Sequence, residues 1–178
     1  MARTSRTSRA SHTSRASRTA GAVVFALGLA TALAACSDEA ASCGPREATV
    51  ERVIDGDTIV LPGGLKVRYL LVDTPEATDG HAECYGANAA RFNADLVLGK
   101  TVQLTYDVQC EDRFGRTIAY VTVGGQDVSR LLIERGYACV LHIPPDGDAR
   151  ADELAALQAE ARAAGRGLWG ACDPIPCR

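Results

Sequence analysis

Aromatic residues are scarce in this chain. Three Phe, one Trp and five Tyr make up 5% of 178 residues, so the core must be filled by Val, Leu, Ile and Ala. Histidine is scarcer still, and the two in the body of the chain, His81 and His142, stand far apart with no Cys-x-x-Cys pair to join them. A zinc site therefore lacks its usual ligand spacing. No apolar run reaches the ~20 residues of a membrane-spanning helix. An excess of positive charge is missing as well. The net charge is −3, yet residues 1–35 hold five arginines (Arg3, Arg6, Arg9, Arg15, Arg18) and no acid. Setting those five aside leaves 14 basic residues against 22 acids, a balance of −8. A general polycationic coat for nucleic acid is excluded, so any polyanion must be held by local charge or by a metal. There is no internal repeat, and the length suits one domain with a tail.

What is present at the N-terminus has the layout of an export signal. Nineteen residues of TSR and ASR triplets are too polar to build a core. An apolar stretch over roughly 20–35 follows, then Cys36. A basic flank and a short apolar run suit a signal peptide over 1–35, and Leu33-Ala34-Ala35-Cys36 resembles a bacterial lipobox whose Cys is acylated. Ordinary cleavage after Ala34-Ala35, giving a free secreted protein, is the competing expectation. Two or more acyl chains anchor stably where one is marginal, and residues 36–46 then read as lipidated Cys and tether. Six cysteines follow Cys36: Cys43, Cys84, Cys110, Cys139, Cys172 and Cys177. An even number in an exported chain favours disulfides, with the tail 171–178 stapled back onto the body.

The body, 47–170, reads as five strands and three helices. Residues 48–54, 58–61, 65–72, 101–106 and 116–123 are rich in β-branched residues in partial alternation. Gly86 to Leu98 has helical spacing of apolar residues and stops at Gly99. Further helices are expected over 127–135 and 152–164, the latter rich in Ala. This order suggests an α+β protein built on a small five-stranded barrel, for which the OB-fold is the natural candidate.

Acids gather where strands begin or end: Asp57, Asp73 and Glu76, with Asp55 close by. Taken alone, Asp55-Gly56-Asp57 is a bulge or turn, and Asp73-Thr74-Pro75-Glu76 a turn or helix cap. Together such carboxylates repel unless a proton or cation joins them. An oxygen-only donor set suits a hard ion, Ca²⁺ before Mg²⁺. Arg68 precedes Asp73 by five residues, and Arg116 follows the turn Asp112-Arg113-Phe114-Gly115. Surface ion pairing is the common fate of such arginines, but guanidinium forks also match phosphate. A metal, a carboxylate and two arginines are the parts needed to drive water onto a phosphodiester.

These residues resemble the staphylococcal nuclease family. Ile54-Asp-Gly-Asp-Thr58, Val67-Arg-Tyr-Leu-Leu-Val-Asp-Thr-Pro-Glu76, Tyr85-Gly-Ala-Asn-Ala89, Asp112-Arg-Phe-Gly-Arg-Thr-Ile-Ala-Tyr120 and Gly167-Leu-Trp169 stand in the family's order over about 48–169. The resemblance implies an OB-fold endonuclease that hydrolyses DNA or RNA with Ca²⁺ and leaves 3′-phosphates. It implies metal ligation by Asp57, Asp73 and the Thr74 carbonyl, with Asp55 acting through water. Glu76 would assist the attacking water, and Arg68 and Arg116 would bind the scissile phosphate. Arg113 and Phe114 keep a basic and an aromatic neighbour beside Arg116. His142, in Cys139-Val-Leu-His-Ile-Pro-Pro145, falls with Pro144 where the prototype packs tyrosines on the nucleotide. The loop Ala77–Glu83 lacks the prototype's lysines. From the family's layout, Cys84 would pair with Cys110, Cys139 with Cys172 and Cys43 with Cys177. The expectation is a monomeric, exported nuclease that meets the membrane only through a lipid at Cys36. Its rivals are an OB-fold envelope lipoprotein that binds nucleic acid or glycan without cutting it, and a structural calcium module.

Overall fold

The structure, a computed structural model, describes residues 43–78 and 80–177. The expected signal segment, Cys36 and Asp79 lie outside them. Alternation builds the expected strands: β1 (Glu47–Thr49) and β2 (Arg52–Val53) form one run interrupted at Val50-Glu51. They are followed by β3 (Thr58–Leu61), β4 (Leu65–Tyr69), β5 (Leu71–Asp73), β6 (Thr101–Thr105), β7 (Thr117–Val123), the short β8 (Gln126–Asp127) and β9 (Cys139–Leu141). The helices are α1 (Gly86–Val97), α2 (Val128–Glu134), α3 (Ala151–Ala163) and α4 (Leu168–Ala171). Neither β9 nor α4 is foreshadowed by the sequence pattern, since each is too short to show a period.

The main sheet runs β1-β6-β7-β4-β3-β2, with β4 and β7 parallel. Its two outer strands are the two halves of the first run: β1 pairs with β6, and β2 with β3. Residues 47–53 therefore join the two edges and wrap the sheet into the expected five-stranded barrel, with strand order 1-2-3-5-4-1, that of an OB-fold. Its interior is aliphatic, as the shortage of aromatics requires. Ile59, Leu61, Val67, Val102, Val121, Leu132 and Ile133 are fully buried. At ~25 cal/mol per Å² of apolar surface, this core is the main stabiliser.

Helix ends are set by local chemistry. Asp127 caps α2 by accepting from the Arg130 N–H, satisfying an orphan donor of the first turn. In α3, Asp152 and Glu153 open the helix and Arg162 closes it, each complementing the helix dipole. Among the described residues no helix is long and apolar enough to cross a membrane.

The third run departs from expectation, and the departure builds the site. Residues 65–72 do not form one strand. The chain breaks at Leu70, and Leu71 takes a left-handed φ of 65°, a conformation costly for a branched-side-chain residue. Beyond the break, β5 leaves the barrel to pair with β9, Leu71 opposite Leu141 and Asp73 opposite Cys139. The carbonyl freed at Leu70 is satisfied by the Ser129 hydroxyl of α2, and the Val140 N–H on β9 by the Gln158 side chain of α3.

All six cysteines of the body pair, but none of the three expected pairs forms. The disulfides are Cys43–Cys110, Cys84–Cys172 and Cys139–Cys177. Register explains the first. With Glu47 opposite Gln103 in an antiparallel pair, the chain before Glu47 runs alongside the residues just after Thr105, toward Cys110. The other two follow from α4: buried Leu168 seats the helix against Cys139 and Tyr85, so the tail leaving it passes first Cys84 and then Cys139.

Candidate active site

Arg68 and Asp73 would stand about 16 Å apart on opposite faces of an unbroken strand. The left-handed Leu71 folds that spacing up. The Arg68 guanidinium donates to the Val72 carbonyl at 2.8 Å and to Asp73 Oδ1 at 2.9 Å. Its Nη1 also lies 2.5 Å from Asp57 Oδ2, so one arginine bridges two carboxylates, one from the turn before β3 and one at the end of β5.

Asp57 is only 3% exposed and well furnished with donors. Its Oδ2 accepts from the Thr74 N–H at 2.7 Å and the Thr74 hydroxyl at 2.9 Å, and its Oδ1 from the Thr58 hydroxyl at 3.0 Å. The turn before it is pinned to α1. Asn93 donates to the Asp55 carbonyl at 3.0 Å and accepts from the buried Tyr69 hydroxyl at 2.9 Å. Gly56 nests so tightly that a Cβ there would sit 2.6 Å from the Thr74 side chain and 2.8 Å from Ala89. Asp55 accepts the Asp57 N–H at 3.0 Å. Burial, reinforced by the Asp57 charge, pushes its carboxyl up to about 7.

Asp55, Asp57 and Asp73 thus crowd around one guanidinium. That surplus of carboxylates, one buried and two part-buried, and a donor set made only of oxygens, fits a hard divalent cation. Among the described residues no three His, Cys, Asp or Glu side chains gather into a ready metal cage. Two carboxylates and the Thr74 carbonyl would need water to complete a shell of six to eight oxygens, as Ca²⁺ accepts.

Glu76 lies just beyond, on the loop after β5. Its Oε1 accepts from the N–H groups of Ala77 and Thr78, both at 3.0 Å, and from the Thr78 hydroxyl at 2.5 Å, which anchors one oxygen of the carboxylate. Arg116 enters from the turn before β7. Its Nε and Nη2 grip Asp112 Oδ2 at 2.7 and 2.6 Å. The other Asp112 oxygen accepts the N–H groups of Phe114 and Arg116. Burial raises the Asp112 pKa, but those backbone and side-chain hydrogen bonds and the Arg116 charge outweigh it and hold the carboxyl below its ordinary value. In the sequence Asp112 shows only as the start of a turn; its four-residue spacing from Arg116 is the available signal for a partner that orients the guanidinium.

Asp55, Asp57, Arg68, Asp73, Thr74, Glu76 and Arg116 line one cleft of about 650 Å³. Arg113 and Phe114 line it too, with the Arg113 guanidinium 4.7 Å from the Phe114 ring centroid and Phe114 68% exposed. His142, expected against the nucleotide, is placed elsewhere: its Nε2 pairs with Asp148 at 2.7 Å and it is not among the lining residues. Period-two alternation through and beyond β9 gives the cleft Leu141 and Ile143 instead. The expectation for this segment is thus one residue out of step with its true parity. Asp146, 4% exposed, accepts the Gln109 N–H at 2.9 Å and ties this wall to the chain after β6.

Comparison with known proteins identifies the family. The family described as "Staphylococcal nuclease homologue" matches residues 66–171. Endonuclease YncB of Bacillus subtilis is 37% identical over 127 residues, covering 68% of this chain and 60% of that protein. Thermonuclease of Staphylococcus intermedius is 36% identical over 102 residues, covering 54% and 61% respectively. An uncharacterized endonuclease of Escherichia coli O157:H7 is 34% identical over 138 residues, covering 75% and 84%. The chain spans about three fifths of the length of the Bacillus and Staphylococcus relatives.

Proposed function

Because this chain belongs to the staphylococcal nuclease family, we propose that it is a Ca²⁺-dependent endonuclease, hydrolysing DNA or RNA at the cleft between β5 and the Asp112–Arg116 turn. The observation that carries the reading is the convergence of Arg68, Asp57, Asp73, Glu76 and Arg116 on one cleft, from three separate stretches of sequence.

Asp57, Asp73 and the Thr74 carbonyl would hold the cation, which would supply positive charge to offset that on the phosphoryl oxygens. Arg68 and Arg116 donate to those oxygens, and their contribution grows as charge builds during attack. Asp112 keeps the Arg116 fork aimed while substrate is absent. Glu76 orients a water and accepts its proton. The water oxygen bonds to phosphorus, the P–O5′ bond breaks, and the leaving oxygen takes up a proton from solvent water, giving a 3′-phosphate and a 5′-hydroxyl. Phe114, Leu141 and Ile143 offer apolar faces to the flanking nucleosides.

Export completes the reading. Residues 1–35 serve as the signal peptide and Cys36 carries the lipid, which is the monomeric protein's only contact with the membrane. The three disulfides formed by the six cysteines of the body suit an oxidising compartment. Cys36→Ala should release the protein from membranes or block its maturation; wild-type protein found soluble outside the cell, with its N-terminus elsewhere than residue 36, would refute the anchor.

Purified protein incubated with single-stranded DNA, and separately with RNA, in Ca²⁺ or in EGTA tests the activity. Cleavage in Ca²⁺ alone is expected. Binding without cleavage would identify a non-catalytic OB-fold module instead, and stabilisation by Ca²⁺ with neither binding nor cleavage a structural calcium module.

A further inference from the structure

Glu76 sits on a loop with no strand or helix to hold it, between Asp73 at the end of β5 and Gly86 at the start of α1. Both of its backbone polar groups go to one residue. The Glu76 N–H donates to Glu83 Oε2 at 2.9 Å, and the Glu83 N–H donates back to the Glu76 carbonyl at 2.8 Å. This clasp closes the loop on itself and ties it to α1, because the Glu83 carbonyl accepts the Gly86 N–H at 3.1 Å. The two backbones touch: a Cβ at Gly86 would lie 2.1 Å from the Glu76 carbonyl oxygen. The next residue after Glu83 is Cys84, joined to Cys172 at the end of α4. The tail that follows runs to Cys177, joined to Cys139, the register partner of Asp73. The tail from Cys172 to Cys177 thus connects the neighbour of Asp73 to the neighbour of Glu83.

We propose that Glu83 is a positioning residue for Glu76, and that the Cys84–Cys172 disulfide makes the C-terminal tail the brace that holds Glu83 in place. The proposal rests on the reading of Glu76 as the group that assists the attacking water. Glu83 acts through the Glu76 backbone rather than on substrate. Its loss should therefore displace a reacting carboxylate while leaving the phosphate-binding arginines where they are. A gain in loop freedom of this kind lowers turnover and leaves substrate binding nearly intact.

The test is steady-state cleavage of single-stranded DNA at saturating Ca²⁺ by the full chain, assayed well below each variant's unfolding midpoint. Glu83→Ala should lower kcat by about ten- to a hundredfold with KM within about twofold. Glu83→Gln, whose amide oxygen can accept the same N–H, should recover most of that loss. Cys84→Ser/Cys172→Ser should lower kcat in the same way, and Cys43→Ser/Cys110→Ser, which leaves the brace intact, should not. Placing Glu83→Ala on a Glu76→Gln background should add no further loss in kcat, because the two act through one group. A wild-type kcat in Glu83→Ala, a change confined to KM, an equal loss in Glu83→Gln, or an additive loss on the Glu76→Gln background would each overturn the positioning role. A wild-type kcat in Glu76→Gln would overturn its premise instead, which separates that failure from failure of the clasp.

Discussion

The barrel and the cleft on its flank are held together by different means. In the barrel, burial follows regular strand patterns: β6 alternates, with Val102 and Leu104 buried and Thr101, Gln103 and Thr105 exposed, while all of β3 and the first five residues of β7 are buried. The cleft is assembled from breaks in that pattern. A left-handed Leu71 turns β5 out of the barrel, a left-handed Tyr85 precedes α1, and two disulfides tie the tail to Cys84 and Cys139. The barrel is stabilised by area removed from water, whereas the cleft is stabilised by a few directed bonds. Mutations should therefore separate: barrel changes should cost stability with turnover kept, and cleft changes turnover with stability largely kept.

Among the phosphate-binding groups of the cleft, the largest effect is expected at the arginines. Arg68→Ala and Arg116→Ala should lower kcat together with kcat/KM, by the ~10²–10³-fold typical of removing one transition-state donor, in initial-rate assays. A rise in KM alone would mean that the guanidinium holds substrate and transition state equally. Arg113→Ala, outside the ion-paired set, should act on KM and on the salt dependence of binding.

On the barrel side, Leu132→Ala removes a fully buried side chain and should cost about 2–5 kcal/mol in denaturant unfolding. Its kcat below the midpoint should match wild type. A smaller change sharpens the comparison where the two regions meet: Tyr69→Phe deletes the buried hydroxyl bonded to Asn93. It should cost about 1–2 kcal/mol and lower turnover as well, since Asn93 also holds the Asp55 turn.

The smallest effect is a pH dependence. The Asp112 carboxyl is held below its ordinary value, so its contribution to stability is fully present above the unfolded-state pKa and is lost as pH falls through the folded-state value. Thermal unfolding of wild type and Asp112→Asn should differ at neutral pH and converge in acid. A gap that widens in acid would contradict the assignment.

The barrel is legible in the sequence because runs of β-branched residues, alternating on β6 and continuous on β3 and β7, stand out between Gly-rich and acidic turns. The acidic and arginine motifs are legible as chemistry. Their convergence depends on the left-handed turn at Leu71, and a leucine carries no turn signal of the kind Gly or Asn would. Disulfide partners are not legible, because they follow from register and from the seating of Leu168, neither of which spacing along the chain reveals. The Leu141 and Ile143 wall lies one residue of parity away from His142, the position the family resemblance points to. Asp112 is hidden by its own turn, whose local hydrogen bonding is complete without the Arg116 side chain.

The central claim is that Asp73 and Glu76, three residues apart, do different work in one centre, one holding a cation and the other taking a proton from water. A Ca²⁺ titration of kcat for Asp73→Ala and Glu76→Gln measures that difference directly. Asp73→Ala should recover part of its activity as Ca²⁺ rises, because it has lost a ligand. Glu76→Gln should stay down by the ~10²–10⁴-fold of a missing general base at every concentration. Near wild-type turnover in Glu76→Gln at saturating Ca²⁺, or equal rescue of the two, would contradict it.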